Sequence, residues 1–349
     1  PLSPELEITE LVDRLSKGLL EKNKALLVEN PVGSHIPVLI NAFGSEQRMA
    51  WALGVDNLEA LNERLGKLID PRLPGSLGGA VGRGKDLLRA LLAAGVRPRR
   101  VRSGPVQEVI VTQDPSLDFI PILKCWPKDG GRFITLPQVI TRNPRTGARN
   151  VGMYRLQVVD SQTLLVHWQR HKGGAEHAKR AQAALQARIP AAVVLGGSPA
   201  AIWCSSAPLP PEIDEYLLAG YLNGEAVEFV KCVSQPLEVP SQAEMVIEGY
   251  VDLEDYRPEG PFGDHTGYYT PVELFPTFKV TAITHRKQPI YPATVVGIPP
   301  MEDVWMGKAT ERLFLPLIRM VMPEVLDVNM PAEGVFHNLV IASVRKRFP

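Results

Sequence analysis

The chain has 349 residues with 38 Lys+Arg against 38 Asp+Glu, so its formal net charge is zero. That length allows about two domains with a sizeable core, and balanced charge argues against a nucleic-acid binder with a broad basic footprint. No apolar run approaches the ~18–20 residues needed to cross a bilayer, and no secretory h-region is present.

Three scattered cysteines (Cys125, Cys204, Cys232) make neither a disulfide framework nor a metal knuckle, which favours a reducing, cytoplasmic compartment. Proline is over-represented, with 32 residues against an average usage of about 5%. Starting at Pro1 without Met and stopping just after the strand-like run 339–344, the sequence reads as a fragment.

In chain order, Ser3-Pro4-Glu5 predicts a helix start, followed by Ile8, Leu11, Val12 and Leu15 at helical spacing. Residues 25–28 and 37–40 read as short buried strands, and 46–67 as one helix. The Pro/Gly-rich stretch 71–85 reads as an ordered loop or linker, leading to a short helix over 86–94. A β-rich middle (106–166), a helix (175–188), an apolar strand (191–195) and a helix (212–222) follow. Strands return over 226–297, and 305–321 reads as a helix. The mixture predicts an α+β fold with a barrel-like antiparallel core around 105–297.

Five segments bear chemistry. Gly79-Ala-Val-Gly-Arg-Gly84-Lys85 has most of a P-loop, but Asp86 stands where magnesium needs a hydroxyl and no strand precedes it, so a glycine loop is the better reading. Asn150 and Arg155 lie on a predicted strand, where a regular pleat would point them to opposite faces. Only a bulge or a strand end would let both serve one ligand. Taken alone, such an arginine is more often a surface or salt-bridged residue than a functional one.

His167-Trp168-Gln169-Arg170-His171-Lys172-Gly173-Gly174 offers cations and glycines beside a helix start, which suits a phosphate. Its His-x3-His spacing also suits a metal face, and a solvated basic turn is the bland reading. Ser205 and Ser206 could donate to a ring or phosphate, but with Gly-x-Ser-x-Gly absent, ordinary turn serines are the better reading in isolation. Most informative is Arg257-Pro-Glu259-Gly-Pro-Phe-Gly-Asp264-His265-Thr-Gly-Tyr-Tyr269, which holds two acids in a restrained loop. A cation nearby would keep one acid ionised, while desolvation would raise the other into a proton donor.

Together and in this order, these segments resemble the UbiD family of non-oxidative decarboxylases. The carriers are residues 150–155, 167–174, 205–210, 214–220, 227–232, 237–240 and above all 259–269. The resemblance implies a split β-barrel-like, FMN-reductase-like flavin domain over 101–300, an N-terminal α/β part over 1–100, and the start of a mostly missing C-terminal α/β oligomerisation domain over 301–349. It implies reversible decarboxylation of an aromatic or α,β-unsaturated acid using prenylated FMN with Mn2+ (or Mg2+), and often K+.

Carried over by position, Asn150, His171 and Glu215 match the metal ligands, with His167 the alternative to His171. Met153, Tyr154, Arg155, His167, Trp168, Gln169, Lys172, Gly173, Ser205, Ser206, Ala207 and Pro208 would line the flavin. Arg155, Glu259 and Asp264 match the catalytic network, with Asp264 the proton donor, its pKa raised by burial. Asp at 264 resembles the quinone-pathway members, which points to a 4-hydroxybenzoate-type substrate.

The implied partners are a small aromatic acid, a flavin prenyltransferase supplying the cofactor, and further copies of the chain, with at most peripheral membrane contact if the substrate is polyprenylated. The rivals are a flavin-binding protein without decarboxylase activity, and decarboxylation of a menaquinone precursor or another aromatic acid.

Overall fold

The computed structural model describes residues 1–68, 92, 96–169, 172–210 and 213–346. The P-loop-like stretch 79–85, Arg170 and His171 lie outside these residues.

The N-terminal part begins with helix α1 (Glu7–Ser16). It starts later than Ser3 because residues 5 and 6 pair with Lys124, Leu6 N–H donating to the Lys124 carbonyl at 3.0 Å. Its buried face is Ile8, Thr9, Val12 and Ser16. Strands β1 (Leu26–Val28) and β2 (Val38–Ile40) pair antiparallel. The expected single helix over 46–67 is two: α2 (Glu46–Ala52), capped by Ser45, and α3 (Glu59–Leu68). Gly54 at φ +67° breaks it, since a left-handed residue cannot continue the helix.

The middle of the chain supplies β3 (Arg99–Arg100), β4 (Val109–Val111), β5 (Phe133–Ile134), β6 (Gln138–Arg142), β7 (Arg149–Gly152), β8 (Leu156–Asp160) and β9 (Thr163–Val166). Then come α4 (Gly173–Ala183), β10 (Arg188–Leu195), α5 (Pro199–Cys204), α6 (Glu215–Asn223), β11 (Glu228–Lys231) and β12 (Glu238–Pro240). The long strands β13 (Met245–Glu259) and β14 (Glu273–His285) are followed by β15 (Tyr291–Ala293), which adds parallel to β2. Helix α4 ends before the predicted 188 because Leu185 adopts φ +56° and stands exposed.

Nine strands form the main sheet in the order β5-β8-β9-β14-β13-β10-β6-β7, with β4 pairing β14. The end strands β5 and β7 are not paired with each other, so the sheet is open, as a split barrel requires. The reason for β10 is visible in its apolar run. Ala191, Val193 and Leu195 enter one core cluster and Ala192 and Val194 the other, on the opposite face. A strand buried on both faces must be apolar throughout. Pro190, which has no N–H, falls where β10 pairs with β13 but not yet with β6.

Helix α7 (Glu302–Val321) packs against α3 and leads into the hairpin β16 (Val325–Asn329) and β17 (Ile341–Val344). Its first residue is tied to the N-terminal part: the buried Glu302 carboxylate accepts N–H bonds from Phe43 (2.8 Å) and Asn41 (3.2 Å). Among the described residues no helix is long and apolar enough to cross a membrane.

Candidate active site

Strand β7 stops at Gly152, and residues 153–155 leave the pleat before β8 begins. This break answers the parity problem of Asn150 and Arg155, and both line one cleft of about 1330 Å³. Tyr154 folds back over Gly152, where any Cβ would lie 2.0 Å from the ring. Its hydroxyl receives the Asn150 carboxamide N–H at 3.3 Å and the Gly174 N–H at 3.2 Å. Gly173 is pressed on Asn150, whose Oδ1 would be 1.8 Å from an added Cβ. The first turn of α4 is thereby fixed against β7.

Glu215 reaches the same cleft from the start of α6. Asp214 caps that helix by accepting the Tyr216 N–H at 3.0 Å, and Arg149 holds Asp214 at 2.6 Å and Glu238 at 3.3 Å. With α6 so anchored, the Glu215 carboxylate accepts the Val151 N–H at 2.9 Å. Burial pushes the Glu215 carboxyl up to about 8, against the lowering effect of its own and the Val151 backbone N–H and of Arg149. Glu215 and the Asn150 carboxamide both line the cleft and offer hard oxygen donors of the type Mn2+ or Mg2+ takes, though among the described residues no group of three His, Cys, Asp or Glu gathers to hold a metal; a cation here would supply the charge that burial withholds. His171 lies outside the described residues, so the third expected ligand is not placed.

Across the cleft, β13 delivers Glu259 as its last residue, after register shifts at 248/249 and 252/256 bend the strand. Arg155 grips Glu259 through Nε–Oε1 at 2.7 Å and Nη2–Oε2 at 3.0 Å, and Nη2 also donates to Thr270 Oγ1 at 3.2 Å. The guanidinium lies 4.3 Å from the Phe262 ring centroid. Nη1 has no hydrogen-bond partner among the described residues. His167 adds Nδ1 to Glu259 Oε2 at 3.2 Å. Burial works to raise Glu259, but the bonds and charges of His167 and Arg155 outweigh it and hold the carboxyl below its usual range. Glu259 is fully buried behind Arg155 and does not line the cleft.

The 260–270 loop is rigid by its bonding. Gly260 N–H donates to Gln157 Oε1 (2.7 Å), Gly263 N–H to Asp129 Oδ1 (2.7 Å), and Thr270 N–H to the Phe262 carbonyl (2.9 Å). It presents Asp264 to the cleft, within the electrostatic reach of Arg155.

Here the expected raised pKa of Asp264 is corrected. Burial does push it up, but the His265 ring, with Nδ1 at 2.5 Å from Oδ1, and the His265 backbone N–H at 2.8 Å turn the shift downward. The pairing with His265 thus favours the ionised form of Asp264.

Most of the expected flavin-lining residues line this cleft: Met153, Tyr154, Arg155, His167, Gln169, Lys172, Gly173, Ser205, Ser206, Ala207 and Pro208. Two expectations change. Trp168 turns inward and joins the core on the α4 side of the sheet, so it does not line the cleft. The Ser205 and Ser206 hydroxyls donate to the carbonyls of Ile202 (2.6 Å) and Trp203 (2.8 Å), finishing α5, so neither has a proton left for a ligand. Sequence reasoning missed Asp303 and His337, both on the cleft wall. Burial pushes Asp303 up to about 7.

The profile of the 3-octaprenyl-4-hydroxybenzoate carboxy-lyase Rift-related domain of UbiD matches residues 99–299, and those of the N- and C-terminal domains match 1–68 and 304–349. The chain belongs to the UbiD family.

Consistent with membership of this carboxy-lyase family, an uncharacterised protein of Archaeoglobus fulgidus is 50% identical over 348 residues, covering 100% of this chain and 70% of that protein. Among solved structures, the UbiD-class enzyme HmfF from Pelotomaculum thermopropionicum in complex with FMN is similar with TM-score 0.82 at 29% identity, over 99% of this chain and 72% of that one. An evolved dimeric form of HmfF in complex with prFMN gives TM-score 0.83 at 29% identity, over 99% and 74%. Vanillic acid decarboxylase of Sedimentibacter hydroxybenzoicus gives TM-score 0.82 at 26% identity, over 99% and 70%. These likenesses agree with the α+β, open-sheet architecture.

Proposed function

We propose that this UbiD-family carboxy-lyase decarboxylates a small aromatic acid in the 150–270 cleft, using prenylated FMN and a divalent metal. The observation that carries the reading is a guanidinium pinned two-pronged to a buried carboxylate, with Nη1 left for a second anion, in the same cleft as Asp264. A space of about 1330 Å³ accommodates a flavin and an aromatic acid together. Flavin binding is supported by the FMN and prFMN complexes of the similar HmfF.

When bound, the prenylated flavin supplies the sink for the electron pair released as CO2 leaves. Glu215 and Asn150 would hold Mn2+ or Mg2+, with Lys172 and the first turn of α4 beside them for the flavin phosphate. Arg155 binds the substrate carboxylate through Nη1, and Glu259 fixes the plane of the guanidinium and balances its charge. Asp264 delivers the proton that replaces CO2 on carbon, and it must therefore gain a proton once per turnover.

A 4-hydroxybenzoate-type acid on a quinone pathway is the favoured substrate, and an oligomer the favoured assembly, supported by the evolved dimeric form of HmfF. The test is coexpression with a flavin prenyltransferase. Prenylated FMN found by mass spectrometry with CO2 release from an aromatic acid supports the reading. Flavin bound with no release from any acid of a broad panel contradicts it and favours the non-catalytic flavoprotein.

A further inference from the structure

The loop acid Asp264 is the first member of a chain of contacts that leaves the cleft. His265 Nδ1 lies 2.5 Å from Asp264 Oδ1, and His265 Nε2 lies 2.8 Å from His337 Nε2. Asp264 and His265 are half-buried, with side chains 21% and 24% exposed, whereas His337 is exposed. The sequence separation is 72 residues, so the contact joins the catalytic loop to the segment between β16 and β17.

That segment is built to present His337. Val335 and Phe336 both take left-handed backbone, φ +56° and +45°. Such backbone is unfavourable for an L-residue, and it persists where surrounding structure enforces it, often at functional sites. Phe336 N–H bonds the Pro331 carbonyl and Asn338 N–H the Gly334 carbonyl, both at 3.1 Å, closing the turn. The Phe336 ring then sits 5.5 Å from the His265 ring and 5.1 Å from that of His337.

We propose that His337 and His265 form a two-imidazole relay that returns a proton from solvent to Asp264 after each turnover. The inference rests on the decarboxylase reading. Loss of CO2 breaks a C–C bond and forms a C–H bond with the same electron pair, so each cycle consumes one proton and requires no oxidant or reductant. The proton enters at His337 Nδ1, His337 Nε2–H passes to His265 Nε2, and His265 Nδ1–H passes to Asp264 Oδ1. Each ring gives from one nitrogen as it takes on the other, so neither gains a proton overall.

The charges around the relay favour its first transfer, from His337 to His265. The Asp264 bond raises His265, against burial and Arg155, with Asp264 and Asp303 adding negative charge. Burial and the His265 charge lower His337, with Lys172 in the same sense and Asn338 and Asp264 opposing. A proton arriving on His337 is therefore drawn inward to His265; the pairing that raises His265 also lowers Asp264, so the last transfer is the uphill one in the ligand-free protein. His337 and His265 are positioning and relay residues; Asp264 is the one that meets substrate.

Two measurements on the full chain test this. In the enzyme loaded by coexpression, His337→Gln lowers kcat tenfold or more with KM unchanged, and added imidazole restores the rate; a wild-type kcat, or a loss that imidazole leaves untouched, overturns the relay. In the ligand-free protein, 15N NMR of the imidazoles follows each histidine with pH. Replacing His265→Asn moves the His337 midpoint upward; an unmoved midpoint overturns the contact and with it the relay. Wild-type enzyme that decarboxylates no acid contradicts the decarboxylase reading, and the relay with it, even where the two titrations are coupled. Decarboxylation with uncoupled titrations contradicts the relay alone.

Discussion

The two sides of the cleft floor are built differently. Arg155 and Glu259 sit at strand ends, 11% and 1% exposed, joined by two parallel hydrogen bonds and backed by His167 and Thr270. Asp264, His265 and His337 sit in loops, are progressively more exposed toward His337, and touch one another through single contacts. The first arrangement fixes a charge and leaves it no freedom to change protonation. The second holds two imidazoles, which ordinarily titrate near neutrality, in a line from solvent to the Asp264 carboxyl group. Anchoring a carboxylate and moving a proton are different tasks, and the proposed function assigns them to scaffold and loop respectively.

The sharpest way to separate the two sides is Asp264→Asn, which removes the proposed proton donor while keeping the loop's shape. Turnover is expected to fall about 10²–10⁴-fold, with substrate binding by isothermal titration nearly unchanged. Equal loss of binding would place Asp264 on the anchoring side instead. Next is Glu259→Gln, which leaves Arg155 facing a neutral buried partner. Breaking a buried pair costs about 3 kcal/mol, read as a lower denaturation midpoint in urea, whereas Asp264→Asn changes that midpoint little.

Of similar size is the metal effect at the opposite wall. Mn2+ at 100 times its Kd should stabilise the wild type by about 2.7 kcal/mol, and Glu215→Gln should abolish this in thermal unfolding.

The smallest effect is the pH dependence of the Asp264–His265 pair, under about 1 kcal/mol for partly exposed groups. His265 is raised from 6.5 and Asp264 lowered from 3.8. The pair's stabilisation is therefore fully present between these two values. It fades as pH rises through the raised His265 pKa or falls through the depressed Asp264 pKa. The stability gap between wild type and His265→Asn should be widest near pH 5 and close above neutrality.

What was legible in the sequence follows the same division. The scaffold was readable where periodicity is unambiguous: 191–195 is apolar at every position because β10 is buried on both faces. The motif at 259–269 pointed to a restrained acidic loop, and the resemblance supplied the positions that converge on the cleft. Other features depend on geometry that pattern does not encode. The strand break at 153–155 decides that Asn150 and Arg155 face one cleft. Trp168 turns into the core although its neighbours His167 and Gln169 line the cleft. Asp303 and His337 lie far along the chain from the motif, with no local signature, and reach it only because α7 and the β16–β17 hairpin fold back over it. The low pKa of Asp264 comes from an adjacent ring whose orientation no sequence pattern specifies.

The central claim, an anchored carboxylate replaced by a proton from Asp264, is tested most directly by running the loaded enzyme on an accepted aromatic acid in D2O. The account predicts one deuterium in the product at the carbon that lost CO2, formed in step with CO2 release. With Asp264→Asn, both should fall together while flavin and metal stay bound. Unchanged CO2 release and deuteration in that variant would contradict the account, because the proton would then come from elsewhere in the cleft.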